Sequence, residues 1–312
     1  MIPFLLKPYY KTVIWGGDRI SRFKNLPVIS DNTGESWEVS AMPGRESVVA
    51  GGPMEGLTLA DVCRRFGRKL MGDEMFTRHG GNFPLLIKYI DATDDLSVQV
   101  HPDEATARRR HGCLGKNEMW YIVEARPGAR IAPGLRETLT PESFRRRVAE
   151  GTFVDALAWY PTHCGDIFHI PAGRVHAAGA GNFIIEIQQP SDITYRICDY
   201  DRRDSDGNTR PLHVEEACEA IDYHVIDDYR CHADGDVLLS ERNFTVRRLI
   251  LDADNTAEVL GPSFTALLCV SGTAIATFGH ESRRIGRGHT MLVPASTRVT
   301  LRGPATVLAV TP

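Results

Sequence analysis

Leu96-Ser97-Val98-Gln99-Val100-His101-Pro102 alternates strictly, with apolar Leu96, Val98 and Val100 set against polar Ser97, Gln99 and His101. A period of two is that of a strand, whose successive side chains point to opposite faces. A half-buried strand normally turns its apolar set inward and wets its polar set. Here the polar set holds two potential metal ligands at i and i+2, which suits the inside of a small barrel. Working outward, Gly115-Lys116-Asn117-Glu118-Met119-Trp120-Tyr121-Ile122 puts Lys116 and Glu118 on one strand face. Ile170-Pro171-Ala172-Gly173-Arg174-Val175-His176 then brings a second histidine after a strand and a turn. Gln99, His101, Glu118 and His176 form a candidate four-ligand N/O site, and the chain reads as organised around it.

The flanking sequence predicts mostly strands. Phe83–Ile90 reads as a buried strand carrying one lysine, Lys88. Further strands are expected at Asp166–Ile170, Phe183–Gln188 and Ile193–Cys198, the last putting Asp192 and Arg196 on one face. Helices are expected after Thr58, with Leu59, Val62, Phe66 and Leu70 at helical spacing, over 103–112, from Thr140 to Glu150, and over Val214–Ile221. Asp227–Gly235 is polar and reads as a linker. Beyond it lie short strands at Phe244–Leu251, Thr265–Val270, Ala274–Phe278, Thr290–Val293, Val299–Leu301 and Val307–Val310, a spacing that suggests a barrel or jelly roll. A weak repeat aligns Gly165–His176 with Gly288–Val299: glycine, an apolar strand, Pro-Ala and a turn in the same register. The ligand candidate His176 falls opposite Val299, so two related barrels are expected, with metal only in the first.

The chain of 312 residues is 42% hydrophobic and 24% charged, an ordinary globular composition able to bury a sizeable core. A net charge of −4 gives no reason to expect nucleic acid or an acidic membrane surface as partner. Seven scattered cysteines with no CxxC pair suggest free thiols in a reducing compartment, and no apolar run approaches the roughly 20 residues that span a bilayer. The cytoplasm is the expected location. The Asp201–Gly207 loop lacks calcium-site spacing, and Gly16-Gly17 and Gly51-Gly52 lack the Gly-Lys-Ser/Thr of a phosphate loop.

These residues resemble type I mannose-6-phosphate isomerases (phosphomannose isomerases) in their short bacterial form, members of the cupin superfamily. The resemblance runs nearly end to end. Its anchors are Gly34-Glu35-Ser36-Trp37-Glu38, Ser97-Val98-Gln99-Val100-His101-Pro102, Lys116-Asn117-Glu118-Met119, Pro171-Ala172-Gly173-Arg174-Val175-His176, Asp192-Ile193-Thr194-Tyr195-Arg196 and Arg210-Pro211-Leu212-His213. It implies a mainly β chain of two cupin-like jelly-roll barrels with a small helical insertion. The expected division is a catalytic cupin domain over 1–226, with helical insertions at about 58–71 and 103–151, and a metal-free cupin-like barrel over 236–312.

The resemblance also implies one Zn²⁺ per chain on Gln99, His101, Glu118 and His176. Lys116, Asp192 and Arg196 fall on positions used around the reacting carbons, and Lys88 and Ser97 on pocket positions. Two imidazoles, a carboxylate and an amide oxygen form a borderline-to-hard set compatible with zinc. The implied reaction interconverts mannose 6-phosphate and fructose 6-phosphate through a cis-enediol. Lys116 and Asp192 are expected to move the proton, and Arg196 to neutralise the enediolate or grip the phosphate; which of Lys116, Asp192 and Glu118 is the base stays open. A sugar phosphate is the expected partner, with no nucleic acid and no membrane, and the chain is expected to be a monomer or weak homo-oligomer. The alternative is a cupin that senses a sugar phosphate without turnover.

Overall fold

The computed structural model describes residues 1–203 and 206–312; Asp204 and Ser205 of the Asp201–Gly207 loop lie outside the described residues. Among the described residues, strands gather into sheets of ten, six, three and two. The six-stranded sheet runs Ile167–Ile170, Glu118–Ala125, Asn182–Gln188, Leu86–Asp91, Thr33–Val39, Tyr9–Gly17, all antiparallel. Its central strands are buried on both faces, because each face is covered by a different layer. Met119, Tyr121, Val123, Ile87, Tyr89, Phe183 and Ile185 pack against Ala266, Leu268, Leu292, Leu308 and Val310 of the ten-stranded sheet. The opposite face carries Trp120, Ile122, Ile90 and Ile184, together with the charged residues described below.

The expected mainly β, jelly-roll architecture is borne out as a β sandwich of open sheets laid face to face, with no closed barrel among the described residues. No ladder among the described residues joins the Ile167–Ile170 and Tyr9–Gly17 edges. Register slips at Lys11/Thr12 and Thr12/Gly17 bend the latter edge away, as bulges do. Thr265–Phe278, expected as two strands, is one strand of 14 residues with a register shift between Cys269 and Ser271, which lets it pair with Thr290–Val293 at one end and Glu281–Gly286 at the other. The first strand, Phe4–Lys7, lies in this same sheet, between Thr290–Val293 and Val48–Ala50. The presumed linker at Asp227–Gly235 is pinned down: Tyr229 is buried and donates its hydroxyl to the Leu135 carbonyl, and Cys231 N–H donates to the Ile167 carbonyl.

The helices form where capping residues start them. Leu59–Met71 opens on a Thr58–Asp61 capping box, Glu104–His111 on Asp103, and Pro141–Ala149 on a Thr140–Ser143 box. Thr58→Ala is expected to cost about 1 kcal/mol in chemical denaturation; a change inside a few tenths would mean the box contributes nothing. Pro141–Ala149 and Val214–Ala220 cover Val98, Val100, Tyr195 and Ile197, the outer face of the Val98–Val100 and Tyr195–Cys198 pair. The arginine runs brace these helices: Arg109 and Arg110 both meet Glu219, and Arg145 meets Glu215 at 2.7 Å. No helix of the described residues is long and apolar enough to cross a membrane.

Candidate metal centre

With Val98 and Val100 packed under the helices, alternation turns Gln99 and His101 toward the inner face of the six-stranded sheet. Gln99 exchanges backbone hydrogen bonds with His176, at 3.0 and 2.9 Å, which sets the two residues directly opposite each other. From the facing sheet comes Glu118. Its Oε2 lies 3.5 Å from His101 Nε2 and its Oε1 lies 3.4 Å from His176 Nε2. The ring centroids of the two histidines are 4.8 Å apart. All three side chains are buried.

The imidazoles are oriented from behind. His101 Nδ1 is 2.8 Å from the Ile193 carbonyl and His176 Nδ1 is 2.9 Å from the Arg174 carbonyl. A carbonyl can only accept, so each Nδ1 carries the proton and each Nε2 presents a lone pair. Burial, reinforced by Lys116, holds both rings neutral: His101 sits well below its ordinary value, and His176 falls to about 3. Burial pushes the Glu118 carboxyl up to about 7, against the pull of Lys116 and with a further push from Glu186. His176 Nε2 and both Glu118 oxygens are buried without a well-directed hydrogen bond. Two lone pairs and a carboxylate converging in a dry site are what a borderline cation such as Zn²⁺ requires, so the donor set fits the expected metal.

Lys116 stands at this cluster, with Nζ 2.7 Å from Glu118 Oε2 and 3.1 Å from His101 Nε2. It is placed by Gly115, where a Cβ would come within 2.7 Å of Glu104 N, and by its own N–H to the Pro102 carbonyl. Lys88 lies deeper in the sheet, in a row of direct cross-strand partners running Phe168, Trp120, Glu186, Lys88, Trp37, Tyr9. Lys88 Nζ is 2.9 Å from Glu186 and 3.7 Å from Glu35. Burial alone would lower its affinity for a proton, but Glu186, Glu35 and Asp192 outweigh that and raise it. Ser97 is buried two residues ahead of Gln99.

Asp192 and Arg196 do not share a strand face as expected. The strand starts only at Tyr195. Upstream carbonyls are taken by side chains rather than a ladder, Ile193 O by His101 and Ser191 O by Gln188 Nε2. Asp192 therefore sits on a loop, ion-paired with Arg45. Arg196 is the cross-strand partner of Gln99, and its Nη1 donates to the Pro211 carbonyl. His213, given no role from sequence, accepts a hydrogen bond from the Arg196 N–H and donates its own N–H to the Arg196 carbonyl. Glu186 and Glu35 were also missed. Their signal was available: each is a carboxylate inside a run that ends up wholly buried. A cleft of about 1450 Å³, lined by Met42, Phe76 and Asn117 among others, contains none of the metal-site residues.

The catalytic-domain profile of phosphomannose isomerase type I matches residues 4–125. A mannose-6-phosphate isomerase of Streptococcus mutans is 40% identical over 219 residues, covering 70% of this chain and 67% of that protein. The putative mannose-6-phosphate isomerase YvyI of Bacillus subtilis is 30% identical and covers 98% of both chains. The crystal structure of a Bacillus subtilis mannose 6-phosphate isomerase superposes with a TM-score of 0.90 at 29% identity over 100% of both chains. A zinc-bound mannose 6-phosphate isomerase shares the fold, with a TM-score of 0.81 at 14% identity over 100% of this chain and 99% of that one. The chain belongs to the type I phosphomannose isomerase family.

Proposed function

We propose that this protein interconverts mannose 6-phosphate and fructose 6-phosphate through a cis-enediol, with one zinc ion held by Gln99, His101, Glu118 and His176. The observation that carries this reading is the convergence of two proton-free imidazole Nε2 atoms on the Glu118 carboxylate, 3.4 and 3.5 Å away, with Lys116 beside them. A bound zinc ion supplies Lewis acidity for the negative charge that develops on the sugar oxygens. The residues do the rest. A proton leaves C2 of the aldose and a proton is delivered to C1, and Lys116, buried against Glu118, is assigned that transfer. Asp192 is its proton-exchange partner, and Arg196, opposite Gln99, faces the enediolate charge. Ser97 and Lys88 line the sugar pocket. On this reading residues 1–226 form the catalytic unit and 236–312 a metal-free one, and the enzyme works in the cytoplasm as a monomer or weak homo-oligomer.

The test is a coupled assay of mannose 6-phosphate conversion on metal-stripped protein, repeated after zinc is restored, with His101→Ala as control. Turnover that returns with zinc and is absent from the variant is the expected result. Tight zinc binding without turnover would replace the isomerase reading with a sugar-phosphate sensor.

A further inference from the structure

Three cations surround one buried indole. The charged ends of Lys88, Arg45 and Lys11 lie 5.0, 5.2 and 5.8 Å from the ring centre of Trp37. They differ in depth. The Lys88 side chain is 6% exposed, Lys11 33% and Arg45 39%. Lys88 is committed: it neutralises Glu186 and Glu35 in the sheet interior, and drawing it away would leave buried Glu186 with only Lys116, 3.9 Å off, as counter-ion. Lys11, at the sheet edge, shares Glu35 with it; Arg45 alone has no buried carboxylate to neutralise. Lys11 meets Glu35 at 2.8 Å from the Tyr9–Gly17 edge strand, and Arg45 meets Asp192 from the turn after Thr33–Val39, its N–H bonded to the Met42 carbonyl. The Arg45–Asp192 pair, half-exposed on both sides, is weak and exchanges readily.

Resting on the isomerase reading above, we infer that Arg45, with Lys11 beside it, is the receptor for the 6-phosphate of the substrate. A hexose whose C1 and C2 oxygens lie at the metal ligands extends its remaining carbons outward past Lys116, Glu186 and Lys88. Its far end reaches the Trp37 rim, where these two cations face solvent. A phosphate monoester carries about −1.5 to −2 charges at neutral pH and needs a cation not already spent on a buried carboxylate, which among the three is Arg45, with Lys11 adding positive potential beside it. The guanidinium suits the task. It lies over the Trp37 ring, one nitrogen engages Asp192, and its other N–H donors can take phosphate oxygens in a bidentate fork.

Binding of inorganic phosphate to the zinc-loaded protein by titration calorimetry, together with KM for mannose 6-phosphate, tests this in Arg45→Gln, Arg45→Lys and Lys11→Gln. The Arg45→Gln variant is expected to raise both constants about ten-fold or more, Lys11→Gln less, and Arg45→Lys to recover part of the loss. Unphosphorylated mannose gains nothing from the clamp, so any turnover of it is affected less. A folded Arg45→Gln protein that binds phosphate like the wild type overturns the inference. Were that variant to fail to fold, Lys11→Gln decides on the same two constants. If the wild type does not isomerise mannose 6-phosphate at all, the proposed function falls, while the phosphate titration still decides the role of Arg45.

Discussion

Replacing His176 by alanine is expected to remove bound zinc and isomerase turnover together. The ring is fully buried, pinned by the Arg174 carbonyl on one nitrogen and by the edge of Trp120, 5.3 Å between centroids, on its flank. Its free nitrogen has no other partner than the ligand cluster. Loss of an outer-shell partner alone lowers metal affinity by about 10- to 100-fold, so loss of the ligand itself should exceed about 100-fold. Zinc content after dialysis and zinc-dependent thermal melting measure this directly. The wild type should gain about 2.7 kcal/mol at a free zinc concentration 100 times its dissociation constant, and the variant nothing under the same conditions. An alanine variant that keeps one zinc per chain and turns over normally would remove His176 from the site.

Lys88→Met should be the most destabilising single change near the centre. It removes the cation facing Glu186 and Glu35 from a buried wall, a loss of about 3–5 kcal/mol at neutral pH. The pH dependence gives the argument a sign. Burial on its own would raise the Glu186 carboxyl, but Lys116 and Lys88 outweigh it and bring it from 4.5 to about 2; Glu35 is held low by Lys88 and Lys11 against the same burial. A carboxylate depressed on folding contributes stability that is complete above its unfolded value of about 4.5 and is lost as pH falls through its folded one. In the variant much of that depression is gone. Its deficit against wild type should therefore be largest at pH 7 and shrink as pH is lowered past 4.5, where protonation quiets the stranded carboxylates. Urea unfolding at the two pH values reads the difference. A deficit under about 1 kcal/mol at both would show that the pairing is not what Lys88 provides.

Much of this centre was legible because a strand's period of two is unforgiving. Gln99 and His101 announce their shared face by spacing alone, and the helix starts at Thr58, Asp103 and Thr140 announce themselves through cap chemistry. Lys116 does stand beside Glu118, but not as a strand neighbour, since it reaches that carboxylate from the segment just ahead of the Glu118–Ala125 strand. What stayed hidden is what only pairing reveals. Lys88 and Glu186 each read as one odd charge in an apolar run, and nothing local says that register makes them direct partners. The Asp192–Thr194 segment failed for the opposite reason: its composition suits a strand, but the carbonyl of Ile193 is occupied in holding His101. The repeat was read correctly at the backbone level. Gly173 and its counterpart Ser296 both adopt positive φ, 86° and 57°, at matching turns, while Val299, opposite His176, is buried in an apolar core.

The position of Phe4–Lys7 has a consequence for biogenesis. Its partner across one edge, Thr290–Val293, is separated from it by nearly the whole chain. On a ribosome delivering about 5–20 residues per second, the first strand waits many seconds before that partner is made. In the interval, of the two strands that pair with it, only Val48–Ala50 has been made. The six-stranded sheet likewise lacks the layer that packs against Tyr89, Phe183 and Ile185. A nascent chain stalled before residue 290 therefore displays a ready-made sticky face, and chaperone engagement should peak at those lengths and vanish on release of the complete polypeptide.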